Sequence, residues 1–194
     1  MNTEARPFRM GSKKLGMWLF LISDALTFAT LLISYAYLRL TSPNWPTPFV
    51  SLIKPILMTL LLLSSSITVT FAVASMKQEN RRSTARWLAV TMFCGVGFMV
   101  LHLLEWRHFW MVEKVTHSGN PWNVPLFGAT FYAITGFHML HVACGVLYLF
   151  VIAVAVGRGK YSIEDVETCG LYWHFVDLVW ILIFPLVYLT QVKA

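Results

Sequence analysis

Five stretches of this chain are each long and apolar enough to cross a lipid bilayer, and that feature restricts the fold more than any other. About 20 mostly apolar residues cover roughly 30 Å of hydrocarbon as a helix. Such runs lie at approximately Leu15 to Leu38, Phe49 to Met76, Arg86 to Met111, Pro125 to Val156 and Gly170 to Thr190. Hydrocarbon offers no partner to a peptide N–H or C=O, so a run of this kind is stable only when its backbone bonds itself. The expected fold is an all-α, polytopic membrane bundle of five transmembrane helices. Polar breaks separate the runs at Ser42-Pro43-Asn44-Trp45-Pro46, Lys77 to Ser83, Ser118-Gly119-Asn120-Pro121 and Gly157-Arg158-Gly159-Lys160. The longest connection, about Val112 to Val124, is too short to fold alone, so residues 1–194 are expected to form one transmembrane domain.

Composition narrows the function classes. Hydrophobic residues make up 57% and charged residues 12%, against about a quarter charged in a soluble domain. A separate soluble catalytic domain has no room. The net charge of +6 would point to nucleic acid in a soluble protein, but here the basic residues sit in the short breaks and report topology. Arg6, Arg9, Lys13, Lys14, Lys77, Arg81, Arg82, Arg86, Arg158 and Lys160 fall on one side. Arg39, Lys54, Arg107, Lys114 and Lys193 fall on the other. The majority side is expected to be cytoplasmic, which puts the N-terminus inside and the C-terminus outside. Lys13-Lys14 before an apolar run imitates a signal peptide, but the run is long and has no small-residue cleavage site, so it is read as a retained first span. Cys94, Cys144 and Cys169 are scattered with no C-x-x-C pair and are expected to be buried free thiols. Trp45, Trp87, Trp106, Trp110, Trp122 and Trp173 lie near the expected span ends and read as interfacial anchors.

Information about function is concentrated in the ionisable residues inside the spans: Asp24, His102, Glu105, His138, His141, His174 and Asp177. A central Asp costs about 2.5–3.5 kcal/mol on insertion scales, so partners are sought at equal depth. Asp24 lies roughly 13 Å into the first span and His138, entering from the other face, reaches the same level. An Asp24–His138 contact is expected, and the same reckoning pairs His141 with Asp177. Thr135, one turn before His138, would bond a backbone carbonyl or join the cluster. Two readings stay open: a proton-handling or gating site, or interhelical glue. Glu105, followed by Trp106 and Arg107, reads as an interfacial ion pair.

Two rival functions share these residues. A b-type cytochrome would use His102, His138, His141 or His174 as haem ligands, yet two of these sit one turn apart on one helix and the others are single. A small proton-coupled transporter would use Asp24 and His138. No Gly-rich phosphate loop, G-x-S-x-G or H-E-x-x-H is present, and no metal-ligand spacing stands out. Gly95, Gly97, Gly128, Gly136 and Gly145 read as small residues that let helices approach, and Ser64, Ser65, Ser66, Thr68 and Thr70 as packing positions.

The chain resembles subunit III of the haem-copper oxidases, a family that includes cytochrome c oxidase and bacterial quinol oxidase. Leu15-Gly16-Met17-Trp18-Leu19-Phe20-Leu21-Ile22-Ser23-Asp24 is similar to the family's acidic first segment. Gly128-Ala129-Thr130-Phe131 with Thr135-Gly136-Phe137-His138-Met139-Leu140-His141-Val142 resembles its most recognisable motif. Glu167, then Tyr172-Trp173-His174-Phe175-Val176-Asp177-Leu178-Val179-Trp180, resembles its C-terminal signature.

The resemblance implies a non-catalytic subunit with no cofactor of its own, packed on a subunit I that carries haem and copper. It would preserve that subunit's activity, support proton uptake at the cytoplasmic side and shape oxygen access through lipid, in a bacterial inner membrane. Other oxidase subunits, phospholipid and a respiratory supercomplex are the further associates it admits. The family's carbodiimide-reactive carboxyl matches Asp24 and its histidine partners match His138 and His141. Asp in place of the usual Glu is one methylene shorter, so a longer or water-bridged contact to His138 is expected. Longer members have seven spans, and this chain begins at what resembles the third. Docking is expected through the first and third spans.

Overall fold

A computed structural model describes residues 11–48, 51–116, 119, 121 and 124–191. Arg6, Arg9, Phe49, Ser118, Asn120, Trp122 and Lys193, named above for topology, boundaries or anchoring, lie outside the described residues. Helices occupy Ser12–Thr41 (α1), Ile53–Lys77 (α2), Arg81–Met111 (α3), Pro125–Gly157 (α4) and Ile163–Ile183 (α5). All five are long and apolar enough to cross a membrane, so this is a multi-pass membrane protein. Strands are absent among the described residues.

Helix ends are set by local chemistry that hydropathy does not see. The fifth helix starts at Ile163 rather than near Gly170 because Ser162 and Asp165 form a capping box: Asp165 N donates to Ser162 Oγ at 3.2 Å and Ser162 N donates to Asp165 Oδ2 at 2.9 Å. α4 ends where Gly159, at φ +71°, turns the chain back. Lys160 N then donates to Ala155 O at 3.0 Å, closing the carbonyls of the last turn. The far end of α5 widens into a π-helical turn, Phe184–Tyr188, where Pro185 has no N–H for a regular α-helical bond.

Four helices close a ring, with α2 against α3, α3 against α4, α4 against α5 and α5 against α2. α1 lies outside that ring against α5 and α4. Its fully buried stripe is Leu21, Phe28 and Tyr35, one residue every two turns, flanked by half-buried Met17, Asp24, Leu31 and Leu32, and the opposite face points outward. α5 touches α1, α2 and α4 and carries the densest core, with Trp173 and Trp180 wholly buried. Trp173 is therefore a central packing residue and not an interfacial anchor: the capping box moves the helix start outward and leaves Trp173 three turns inside.

Gly95 and Gly145 make the slot for that indole. A Cβ added at Gly95 would lie 2.6 Å from Trp173 Cη2, and one at Gly145 would lie 2.8 Å from Trp173 Cζ3. Trp173 Nε1 donates to Ser65 Oγ at 2.8 Å. Close packing of this kind holds membrane helices together, since lipid is as apolar as the helix surfaces. The cysteines are all free, but only Cys169 is buried; Cys144 is exposed on the outward face of α4 and Cys94 is intermediate. Overfilling the slot with Gly145→Val should destabilise the chain by about 1–3 kcal/mol. Gly16→Ala, at a site with nothing within 4 Å, should leave unfolding in detergent unchanged or slightly delayed.

Candidate functional site

The intramembrane polar residues fall into four groups rather than one cluster. The first joins α1 to α4: His141 Nε2 and Asp24 Oδ2 are 2.7 Å apart, and His141 Nδ1 faces Phe137 O at 2.8 Å. Both side chains are largely buried, at 10% and 14% exposure. Because a carbonyl only accepts, Nδ1 must carry a hydrogen. One further proton is then shared between Nε2 and Oδ2, giving imidazolium with carboxylate or imidazole with carboxylic acid. The pair is neutral overall in either form, which is what a low-dielectric site tolerates. Tyr172 OH donates to His141 O at 3.0 Å, and the Phe28 ring lies 5.3 Å from the imidazole.

The expected Asp24–His138 contact does not form. His138 is one turn away, and a turn of 3.6 residues puts positions i and i+3 near one another but not in one direction. The imidazole of His138 stacks on Trp180 at 5.2 Å, wholly buried, and neither ring nitrogen has a hydrogen-bond partner among the described residues. The same holds for His102, whose ring lies 5.6 Å from Phe98, 5.4 Å from Trp106 and 5.9 Å from Trp180. Thr135 stays outside this group: it donates to Phe131 O at 2.7 Å and accepts from Trp106 Nε1 at 3.3 Å.

The third group runs along α2 and α5. Trp180 Nε1 donates to Thr59 Oγ1 at 2.9 Å, Trp173 to Ser65, and His174 Nδ1 lies 2.7 Å from Ser66 Oγ. Asp177, four residues after Trp173 and three before Trp180, lies on the same α2-facing stripe. It is therefore not beside His141, and the expected His141–Asp177 pair is absent. Its buried carboxyl oxygens have no hydrogen-bond partner among the described residues. Sequence reading assigned the α2 hydroxyls to packing; their bonds to two Trp and one His of α5 were signalled by the spacing of Trp173, His174 and Trp180.

The fourth group lies at the far end of α3. Glu105 is 4% exposed and accepts from Tyr188 OH at 2.8 Å, so it is a buried hydrogen-bonded carboxyl and not the expected interfacial ion pair. The π-helical turn rotates Tyr188 inward to meet it. A cavity of about 150 Å³, lined by Ser51, Lys54, His108, Phe109 and Glu113, opens onto Glu105. At the opposite end, Glu167 bridges Lys14 of α1 at 3.2 Å and Lys77 of α2 at 2.9 Å, and Lys13 meets Asp165 at 2.6 Å. No group of three or more His, Cys, Asp or Glu among the described residues is arranged to hold a metal ion.

A five-helix bundle with a carboxyl–imidazole pair between its first and fourth spans defines a polytopic, all-helical membrane protein. Comparison with known proteins narrows this further. The family model described as cytochrome c oxidase subunit III matches residues 4–192, and the chain belongs to that family. Cytochrome c oxidase subunit 3 of Synechocystis sp. is 35% identical over 181 residues, covering 90% of this chain and 74% of that one. Its counterpart in a Bacillus sp. is 32% identical, covering 92% and 86%. Cytochrome bo(3) ubiquinol oxidase subunit 3 of Pseudomonas putida is 32% identical, with the same coverage.

A double-mutant cycle on Asp24→Asn and His141→Asn should return a coupling of about 1–2 kcal/mol in detergent unfolding. The matching cycle with His138→Asn should return a value near zero.

Proposed function

We propose that this chain is a non-catalytic accessory subunit of a respiratory terminal oxidase in a bacterial inner membrane, acting as one transmembrane domain. The parent complex reduces oxygen to water and pumps protons, with haem and copper on partner subunits. The observation that carries this reading is the family match across nearly the whole chain. Subunit I is the main contact. α1 supports this role: it packs mainly on α4 and α5 and presents Leu15, Trp18, Leu19, Ile22, Leu26 and Ile33 outward.

The basic residues of the N-terminal side and of the α2–α3 and α4–α5 loops support a cytoplasmic location for that face. Glu164, Asp165 and Glu167, gathered there at the start of α5 beside Lys13, Lys14 and Lys77, form a charged surface that supports proton uptake by the complex. Asp24 and His141 clip α1 to the ring and keep the docking face in register. A groove lined by Trp18, Leu21, Ile22, Leu171, Phe175 and Leu178 between α1 and α5 suits a phospholipid acyl chain.

Mild-detergent purification through a tag on this chain tests the reading: a large protein carrying haem and copper should come along, and recovery of the chain alone would overturn it. In that complex Asp24→Ala should leave initial oxygen consumption within about twofold of wild type while shortening the number of turnovers before inactivation. A loss as complete as removal of a haem ligand would contradict a structural role for the pair.

A further inference from the structure

The ionisable residues inside the bundle are distributed unevenly about the Asp24–His141 pair. Towards the Lys13–Asp165 end the titratable side chains in these stretches are Cys144, Tyr148, Cys169 and Tyr172: no Asp, Glu, Lys, Arg or His lies between Lys14 and Asp24 on α1, between His141 and Arg158 on α4, or between Glu167 and His174 on α5. On that side Phe20 and Tyr172 stack at 6.2 Å below the pair. Towards the α3–α4 loop the residues form a file. The cavity of about 150 Å³ opens onto Glu105, and His102 is one turn deeper on the same helix. His138 of α4 follows, packed against the same two rings as His102: Phe98 is 5.6 Å from His102 and 5.7 Å from His138, and Trp180 is 5.9 Å and 5.2 Å away. One turn beyond His138 is His141, bonded to Asp24.

The middle of this file holds four buried ring nitrogens with no hydrogen-bond partner among the described residues. Buried polar atoms in this state commonly bind internal water, which needs two to four polar partners. We propose that water bound by His102 and His138 connects the Glu105 cavity to the Asp24–His141 pair, so that the pair exchanges its shared proton with the face carrying the α3–α4 loop. Each imidazole accepts a proton on one nitrogen and releases the hydrogen of the other. The last transfer goes to His141 Nε2 or the Asp24 carboxyl. Only N–H and O–H bonds form and break, and nothing is oxidised or reduced. The proposal goes beyond the accessory role and does not rest on it.

Asp24 meets His141 from α4 and, from α5, Tyr172, which donates to His141 O. His138 faces His102 and His141. Glu105 faces Tyr188, Lys54, His108 and Glu113.

The test reads proton access at Asp24 directly. A hydrophobic carbodiimide reacts with a protonated carboxyl from within lipid, and peptide mass spectrometry separates labelling at Asp24 from labelling at Glu105. The full chain, in its complex and reconstituted in vesicles of one orientation, is labelled while the pH is changed on one side at a time. Raising the pH at the α3–α4 loop face should slow Asp24 labelling by up to about tenfold per unit. The same change at the other face should leave the rate unaltered. Glu105→Gln and His102→Leu should slow this response, and His102→Gln, which can still hold water, should restore it. If His102→Leu does not accumulate, Glu105→Gln carries the test alone. Labelling that follows the Lys13–Asp165 face, or both faces equally, would overturn the proposal, as would a wild-type response in Glu105→Gln and His102→Leu. If no haem protein accompanies the chain, the same labelling on the chain alone still decides the route, which separates this outcome from failure of the accessory role.

Discussion

Hydrocarbon supplies no hydrogen-bond partner, so a polar group between the two faces of the bilayer is held only by what the bundle itself provides. That requirement organises the structure at two levels. The backbone meets it by forming helices of 21 to 33 residues. The side chains meet it by pairing between helices: Asp24 with His141, Glu105 with Tyr188, His174 with Ser66, and the indoles of Trp173 and Trp180 with hydroxyls of α2. Each such bond is modest in a membrane, roughly 0.6 kcal/mol on average, but each works in one register only. The polar pairs thus specify how apolar helices, which would otherwise slide against one another, come to rest.

α5 is where these demands meet. Its start is fixed by the Ser162–Asp165 capping box and tied to α1 and α2 through Lys13, Lys14 and Lys77. In its middle Trp173 fills the slot left by Gly95 and Gly145, and at its end Pro185 opens the π-helical turn that swings Tyr188 onto Glu105. The exposed ion pairs at the start are screened by water and add at most about 1 kcal/mol apiece. The indole in its slot is enclosed on every side, so the middle of α5 carries more of the packing than its charged end.

The one-turn difference between His138 and His141 shows how a local detail divides roles. Both sit on α4 and look alike in a depth estimate. His141 reaches α1 and shares a proton with Asp24, while His138 turns toward Trp180 and keeps its nitrogens inside the ring of four helices. A similar separation puts Asp177 on the α2 side of α5, away from the Asp24 pair. What began as one polar cluster resolves into distinct sites because a helix spreads its residues around 360°, and depth alone says nothing about azimuth.

Length and hydropathy determined the five spans, their order and their approximate limits, because crossing hydrocarbon demands long apolar helices whatever their neighbours do. The family motifs, read residue by residue, already marked Asp24, His138 and His141. The turn at Gly159 was read from the Gly157-Arg158-Gly159-Lys160 break, whereas the Ser162 cap went unread and hydropathy placed the start of α5 about two turns late. Which histidine meets Asp24, where Asp177 and Glu105 point, and why Gly95 and Gly145 must be small were decided only in the tertiary structure. Those outcomes depend on the rotation and separation of neighbouring helices, and these are settled by side chains far apart in sequence packing against one another.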